Sequence, residues 1–452
     1  MSITVKVMSK ETIKPSTPTP YQLKNYSLSL IDQHIQSSFI PILLFYPAAV
    51  NDSGGDKQHG DIITCLLKRS LSETLVHFYP LAGRMKDNIA VDCNDGGVEF
   101  IEVNVSGRMC DFLMKPDEQL SGLLPAEVVR MIYAREAQVI IQVNTFDCRS
   151  TAISLCVSHK IADVSSITTF IRYWAQTTIA VGRSTSIISP VVSSKLIPTF
   201  ESASLFPPIK QLISPSGVTP TLPDSNPSES VSKIISKRFV FDAIVINSVR
   251  EKLLALTADK YKCRRPTRVE VVSSLIWKSF VKLATPSSLP VMVRHAVNLR
   301  RRLDPPLPDV SFGNLIEFTK EVVGAASTKT TTQETTCSTS MLYEDLNEFV
   351  GQLRESISKM TKGDHDFDAE NTHYEGRYLW MSSWCNYGLY DIDFGWGKPI
   401  WVTTVATIFP DSKGFFLMND TRCGEGVEVC GNLVEEEMSS FQLNLSDLLD
   451  RI

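Results

Sequence analysis

The chain lacks the marks of several common protein classes. Its ten cysteines, at positions 65, 93, 110, 148, 156, 263, 337, 385, 423 and 430, include no C-x-x-C pair. Zinc sites and redox pairs use that spacing, so no metal ligand set is expected. No apolar run reaches the ~18 residues that a spanning helix needs. The opening MSITVKVMSKETIKPSTPTP has no apolar core of the kind that marks a signal peptide. No membrane contact is expected, and scattered thiols suit a reducing, cytoplasmic setting. A basic excess is missing too, with 45 Lys and Arg against 50 Asp and Glu and a formal net charge of -5. That argues against nucleic acid as a partner. No G-x-S-x-G elbow occurs, so a serine nucleophile of that kind is excluded.

What is present suffices for two cores. With 452 residues, 43% hydrophobic and 21% charged, the chain exceeds one ordinary domain. Residues 61–79 carry Ile63, Leu66, Leu67, Leu71 and Leu75 at helical spacing. NIAVDCNDGGVEFIEVNV then reads as two strands around a turn, and AQVIIQVNTFD with TAISLCVS reads as a hairpin over 137–158. From about 183 to 235 the composition turns to Ser, Pro and Asp, as in SPSGVTPTLPDSNPSESVSK. This predicts a first domain over 1–185, a crossover over 186–235 and a second domain over 236–452. In the second, RVEVVSSLIWKSFVK at 268–282 is a helix and RHAVNLR a strand, while AASTKTTTQETTCSTS at 325–340 is a surface loop. Helices and strands alternate in both halves, which predicts an α/β fold.

One of only seven histidines, His159, sits where a strand gives way to a helix. TAISLCVS ends at this residue, and Val164, Ile167, Phe170, Ile171 and Trp174 mark one face of a following helix. Asp163 falls at the N-cap of that helix. Taken alone, the stretch leaves two readings of His159 open. It is a hydrogen-bonded loop histidine, or it is a general base, since imidazole titrates near neutrality. Cys156 should point away from the face shared by Leu155 and Val157, and reads as packing. Without a protein nucleophile, chemistry here would run by direct attack of a base-activated acceptor.

A second stretch narrows the choice. DFGWGKP at 393–399 packs two glycines, two aromatics and a proline into one short segment, and such glycine density allows backbone conformations closed to other residues. The pair of motifs resembles the BAHD acyltransferases, plant enzymes that move an acyl group from coenzyme A to an alcohol or amine. The resemblance spans essentially the whole chain. IKPSTPTP, HFYPLAGR, VDCNDGGVEF, AVNLRRRLDPPLP, FGN and SSWC follow in the order of the family's landmarks. In detail it is nearest the alkaloid-acetylating branch.

The resemblance implies two similar mixed-sheet domains, as in chloramphenicol acetyltransferase, with a channel between them. It implies that His159 is the base and that Asp163 is structural, paired with Arg300. Asp393, Gly395 and Gly397 would support the channel from a distance, and Ser382 and Trp384 would lie near a developing oxyanion. Acetyl-CoA would be the co-substrate, with no permanently bound cofactor and no metal. The acceptor would be an alcohol of a benzylisoquinoline or morphinan alkaloid, and the enzyme a cytoplasmic monomer. KYKCRRPTR at 260–268 is the densest basic run. Its Arg264, Arg265 and Arg268 are either a solvated helix end or contacts for the nucleotide of coenzyme A. Arg149 and Ser150 stand where relatives commonly have two glycines, and Cys430 where close relatives carry tryptophan. Changes in acceptor shape are expected at those positions.

Overall fold

The computed structural model describes residues 3–48, 58–116, 119–129, 137–183, 193–209, 233–257, 264–284, 290–319, 321–323, 339–360, 376–405 and 413–452. Most of the expected crossover, most of the loop at 325–340, and Lys260 and Lys262 lie outside the described residues.

One sheet has six strands in the order β1 (Val5–Ile13), β6 (Val98–Val105), β7 (Val139–Phe146), β8 (Thr151–Ser158), β3 (Phe39–Tyr46) and β14 (Trp401–Thr403). The second follows the order β11 (Ile316–Phe318), β10 (Val291–Asn298), β13 (Arg377–Ser383), β15 (Phe415–Asp420), β16 (Val427–Val434) and β9 (Ile234–Phe241), with β12 (Glu321–Val323) also on β10. A small third sheet joins β2 (Asn25–Ser27), β5 (Ala90–Asp92) and β4 (Arg84–Lys86). The helices are α1 (Leu30–His34), α2 (Gln58–His77), α3 (Met109–Leu113), α4 (Ala126–Val129), α5 (Val164–Arg183), α6 (Ser202–Leu205), α7 (Ala243–Thr257), α8 (Arg268–Val281), α9 (Thr339–Met360) and α10 (Glu435–Leu449).

The strand that leads to His159 is central and buried along its whole length. A strand covered on both faces shows no polar–apolar alternation, and TAISLCVS is apolar except for the small hydroxyl residues Thr151, Ser154 and Ser158. It pairs antiparallel with β7 as the expected hairpin. Alternation then sorts its side chains. Leu155 and Val157 join the core under α2 and α5, while Cys156 joins a separate core on the opposite face with Phe45 and Trp401. Burial drives the Cys156 thiol far above its ordinary range, so it stays protonated.

NIAVDCNDGGVEFIEVNV forms two strands around a turn, and these part into different sheets: β5 lies in the small sheet and β6 in the large one. Segments after residue 236 also enter the first half. Strand β14 adds to the first sheet by pairing with β3, and Phe312, Leu389 and Phe394 pack in the first core. Glu428 of β16 fastens this exchange by accepting hydrogen bonds from the Trp401 indole N–H, 3.2 Å to each oxygen. The two halves are therefore laced together, and the segment they share runs beside the cavity between them. Among the described residues no helix is long and apolar enough to cross a membrane.

Candidate active site

Helix α5 starts at Val164 because Asp163 caps it, accepting the Ser166 N–H at 2.9 Å. The same carboxylate takes a two-pronged bond from Arg300 at 2.7 and 3.0 Å, and the Leu315 N–H at 3.0 Å. Both charged groups are buried, Arg300 wholly so. Arg300 spreads its remaining donors over the carbonyls of Ser311 and Gly313. Burial alone would raise the Asp163 carboxyl. The Arg300 guanidinium and the N–H donors outweigh it and hold the group below the ordinary carboxylate range. Asp163 thus clamps the loop that follows His159 onto the segment 311–315, through those bonds.

His159 is held by its backbone. Its N–H donates to the Ser38 carbonyl at 2.8 Å, and its carbonyl accepts the Asn314 amide at 2.8 Å. Asn314 in turn donates to the buried Asp32 carboxylate from its backbone and side chain, at 3.0 and 2.8 Å. The ring lines a cavity of about 1030 Å³. Its Nδ1 is enclosed and meets no partner among the described residues. Enclosure lowers the pKa of the imidazole, and the nearby Asp163 charge opposes this only in part. A ring that is neutral at pH 7, with a fixed backbone and an open face on a cavity, can accept a proton. Next to it, the Lys160 ammonium donates to the carbonyls of Gln33 and Ile35 at 2.9 and 2.6 Å, pinning the chain beside the cavity. Burial brings that amine down to about 8.

The opposite wall comes from β13 and the turn after it. Ser382 and Trp384 both line the cavity. Neither the Ser382 hydroxyl nor the Trp384 indole N–H is committed to a described residue, so both remain available as donors. Five arginines also line it: Arg172, Arg264, Arg301, Arg302 and Arg354. Three are matched by carboxylates, since Arg264 and Arg354 share Glu270 and Arg301 holds Asp309. Arg172 donates to the Tyr387 carbonyl at 2.6 Å and Arg302 to the Asn298 carbonyl at 2.7 Å. Among the described residues those two have no carboxylate partner.

A profile of the Transferase family matches residues 3–448. The chain belongs to this family. It is an acyltransferase of the BAHD type, and its relatives are close. It is 52% identical over 472 residues to (13S,14R)-1,13-dihydroxy-N-methylcanadine 13-O-acetyltransferase AT1 of Papaver somniferum, covering 99% of this chain and 98% of that one. Salutaridinol 7-O-acetyltransferase of the same plant is 50% identical, covering 100% and 99%. Among solved structures, vinorine synthase superposes with a TM-score of 0.77 at 32% identity, over 98% of each chain.

The acyltransferase's D-F-G-W-G segment lies behind the cavity rather than in its lining. The Asp393 carboxylate accepts the N–H groups of Gly395 and Gly397 at 2.7 and 2.9 Å. Both glycines take positive φ, 110° and 111°, which other residues rarely adopt. The turn drives Phe394 edge-on into Trp174 of α5, ring centres 4.9 Å apart, with Trp396 stacked behind it. It therefore braces the helix that Asp163 caps.

The basic run divides between the two readings left open for it. Only Arg264 of the three named arginines reaches the cavity lining. Arg265 pairs with Glu251 on the exposed surface. Arg268 is spent on Asp420, the Asn386 side chain and the Gly426 carbonyl. Local charge density does not reveal which cations are already neutralised. The departures at Arg149, Ser150 and Cys430 also fall away from the cavity. The first two sit at the far end of β8, about 25 Å of strand from His159. Cys430 pairs across to β9 beside Ser236. Arg172, Arg302 and Asn314 went unmarked as site residues. FGN was visible as a landmark, but no local pattern announces Arg172 and Asn314, whose partners lie more than a hundred residues away.

Proposed function

We propose that the protein is an acetyl-CoA-dependent O-acetyltransferase acting on a secondary alcohol of a benzylisoquinoline or morphinan alkaloid, with salutaridinol 7-O-acetylation the leading reaction. The observation that carries this reading is a neutral, backbone-fixed His159 facing a cavity that it shares with the uncommitted Ser382 hydroxyl. The two poppy relatives supply the acceptor class.

His159 takes the proton from the acceptor hydroxyl as the oxygen attacks the thioester carbonyl. The new C–O bond pushes charge onto the carbonyl oxygen, where Ser382 and Trp384 donate. One well-placed donor of this kind is worth about 3–4 kcal/mol of barrier. The C–S bond then breaks, and the thiolate of coenzyme A takes the proton from His159. Asp163 and Arg300 hold the loop and exchange no proton. Arg172 and Arg302 meet the phosphates of coenzyme A, because phosphate favours guanidinium groups not already held by a carboxylate, and Arg264 adds the donors that its pair with Glu270 leaves over. The proposed enzyme is a cytoplasmic monomer that takes both substrates into this one cavity.

A second acceptor, the 13-hydroxyl of a noscapine-type intermediate, is supported by the slightly higher identity to the 13-O-acetyltransferase. Purified protein is incubated with acetyl-CoA and each alcohol separately, with products read by mass spectrometry. Acetylated salutaridinol is the expected product. Acetylation of the 13-hydroxy alkaloid alone would move the reaction to that acceptor. No thiol release with any alkaloid alcohol would overturn the function.

A further inference from the structure

The cavity is chemically lopsided along the direction of its strands. Strands β10 and β13 run parallel. Past their C-terminal ends stand the cations and polar groups, Arg301 and Arg302 after one, Asn386 and Tyr387 after the other, with Arg172 held on Tyr387. In from those ends the wall is aromatic, with Trp380 at mid-strand and Phe318 level with Ser382. Phe318, Trp380 and Phe415 each line the cavity and each is half-buried.

Register fixes where these rings stand. Trp380 lies opposite Arg294 of β10 on one side and Phe415 of β15 on the other. Phe318 of β11 lies opposite the small Ala296 of β10 and meets the Trp380 ring edge-on, centres 5.3 Å apart at 87°. Trp380 and Ser382 are two residues apart on one strand, so they share a face at a spacing of about 7 Å. The Arg294 guanidinium, buried and without an ion pair among the described residues, lies 5.9 Å from the Trp380 ring, and Tyr378 stacks beside the same ring at 5.7 Å and 25°, so that both fix it while it keeps its place in the cavity lining. The indole N–H of Trp380 donates to no described residue.

If phosphates occupy the basic end and the thioester lies by His159 and Ser382, the aromatic end is left for the acceptor. We infer that Trp380, flanked by Phe318 and Phe415, is the platform on which the aromatic rings of the acceptor lie, and so sets acceptor specificity. The inference rests on the proposed transfer to an alkaloid alcohol. A flat arene on Trp380 places a hydroxyl on a neighbouring ring about 7 Å away, two residues along the strand, at the Ser382 row. Offset stacking of this kind favours aromatic polycycles over aliphatic alcohols of equal size.

The test compares wild type with Trp380→Ala and Trp380→Phe. It reads KM for salutaridinol, KM for acetyl-CoA, and equilibrium dialysis of each ligand alone. Trp380→Ala should raise the alkaloid KM and dissociation constant about ten-fold, the size of one lost stacked contact, while both acetyl-CoA values stay within two-fold. Trp380→Phe keeps a ring and should recover most of the loss. Should Trp380→Ala fail to fold, Phe318→Leu is measured beside Trp380→Phe, with a smaller shift expected in the same direction. Wild-type turnover with an alkaloid KM unmoved in the variants would overturn the platform alone. So would a loss confined to acetyl-CoA. Wild type that neither binds nor acetylates the alkaloid would overturn the platform and the proposed function together.

Discussion

At the scale of single residues, the question at His159 is which protonation state the fold prefers. Burial of the ring disfavours imidazolium, and the opposing pull of Asp163 does not reverse this. The folded-state pKa therefore lies below the ordinary ~6.5. Between the two values the unfolded chain binds more proton than the native one. His159 thus costs stability as pH falls through that window and costs none above it. Activity should follow the neutral form. The acid limb of kcat/KM is expected to show an apparent pKa below 6.5, with a plateau already reached at pH 7. A limb centred at 7 or higher would remove His159 as its source. His159→Ala should keep its thermal melt and lose transfer by about two to four orders of magnitude. The residue was legible because an imidazole at the end of a largely apolar strand needs an explanation. Its enclosure was not, because Ser38 and Asn314, which fix it, come from distant segments.

At the scale of elements, the join between β8 and α5 depends on one ion pair. Its carboxylate caps a helix and its guanidinium reaches the carbonyls of Ser311 and Gly313. Removing one partner leaves a buried charge uncompensated, at a cost of about 3–5 kcal/mol. Asp163→Ala and Arg300→Ala should each lower the urea midpoint by that order. The double variant should cost clearly less than the sum, because the second removal no longer strands a charge. Strictly additive losses would argue against the clamp. The start of α5 could be read directly, since a capping residue precedes apolar positions 164, 167, 170, 171 and 174. The β7–β8 hairpin could be read for a similar reason, two strand-rich runs and a short joint. The separation of β5 from β6 into different sheets could not. Period-two alternation tells which face a side chain takes, and says nothing of which strand lies alongside.

At the scale of the whole molecule, an acidic chain presents a locally basic cavity. The net charge is -5, yet five arginines line the cavity against Asp163, Glu270 and Asp309. Once the internal pairs are made, Arg172 and Arg302 remain without a carboxylate among the described residues. That balance arises from chain segments brought together by folding, so the densest basic run in the sequence was a poor guide to it. The consequence can be measured without turnover. A ligand that binds only the native state stabilises it by about 2.7 kcal/mol at a hundred times its dissociation constant, and an ionic contribution fades with salt. Acetyl-CoA should therefore raise Tm at low salt, less so at 0.5 M. Arg302→Gln should reduce both the rise and its salt dependence, because one phosphate contact is gone. Arg265→Gln, which gives up only a surface pair with Glu251, should leave both unchanged. Equal losses in the two variants would mean that the protein meets coenzyme A with its general surface field, and the unpaired arginine in the cavity would have no special part in binding it.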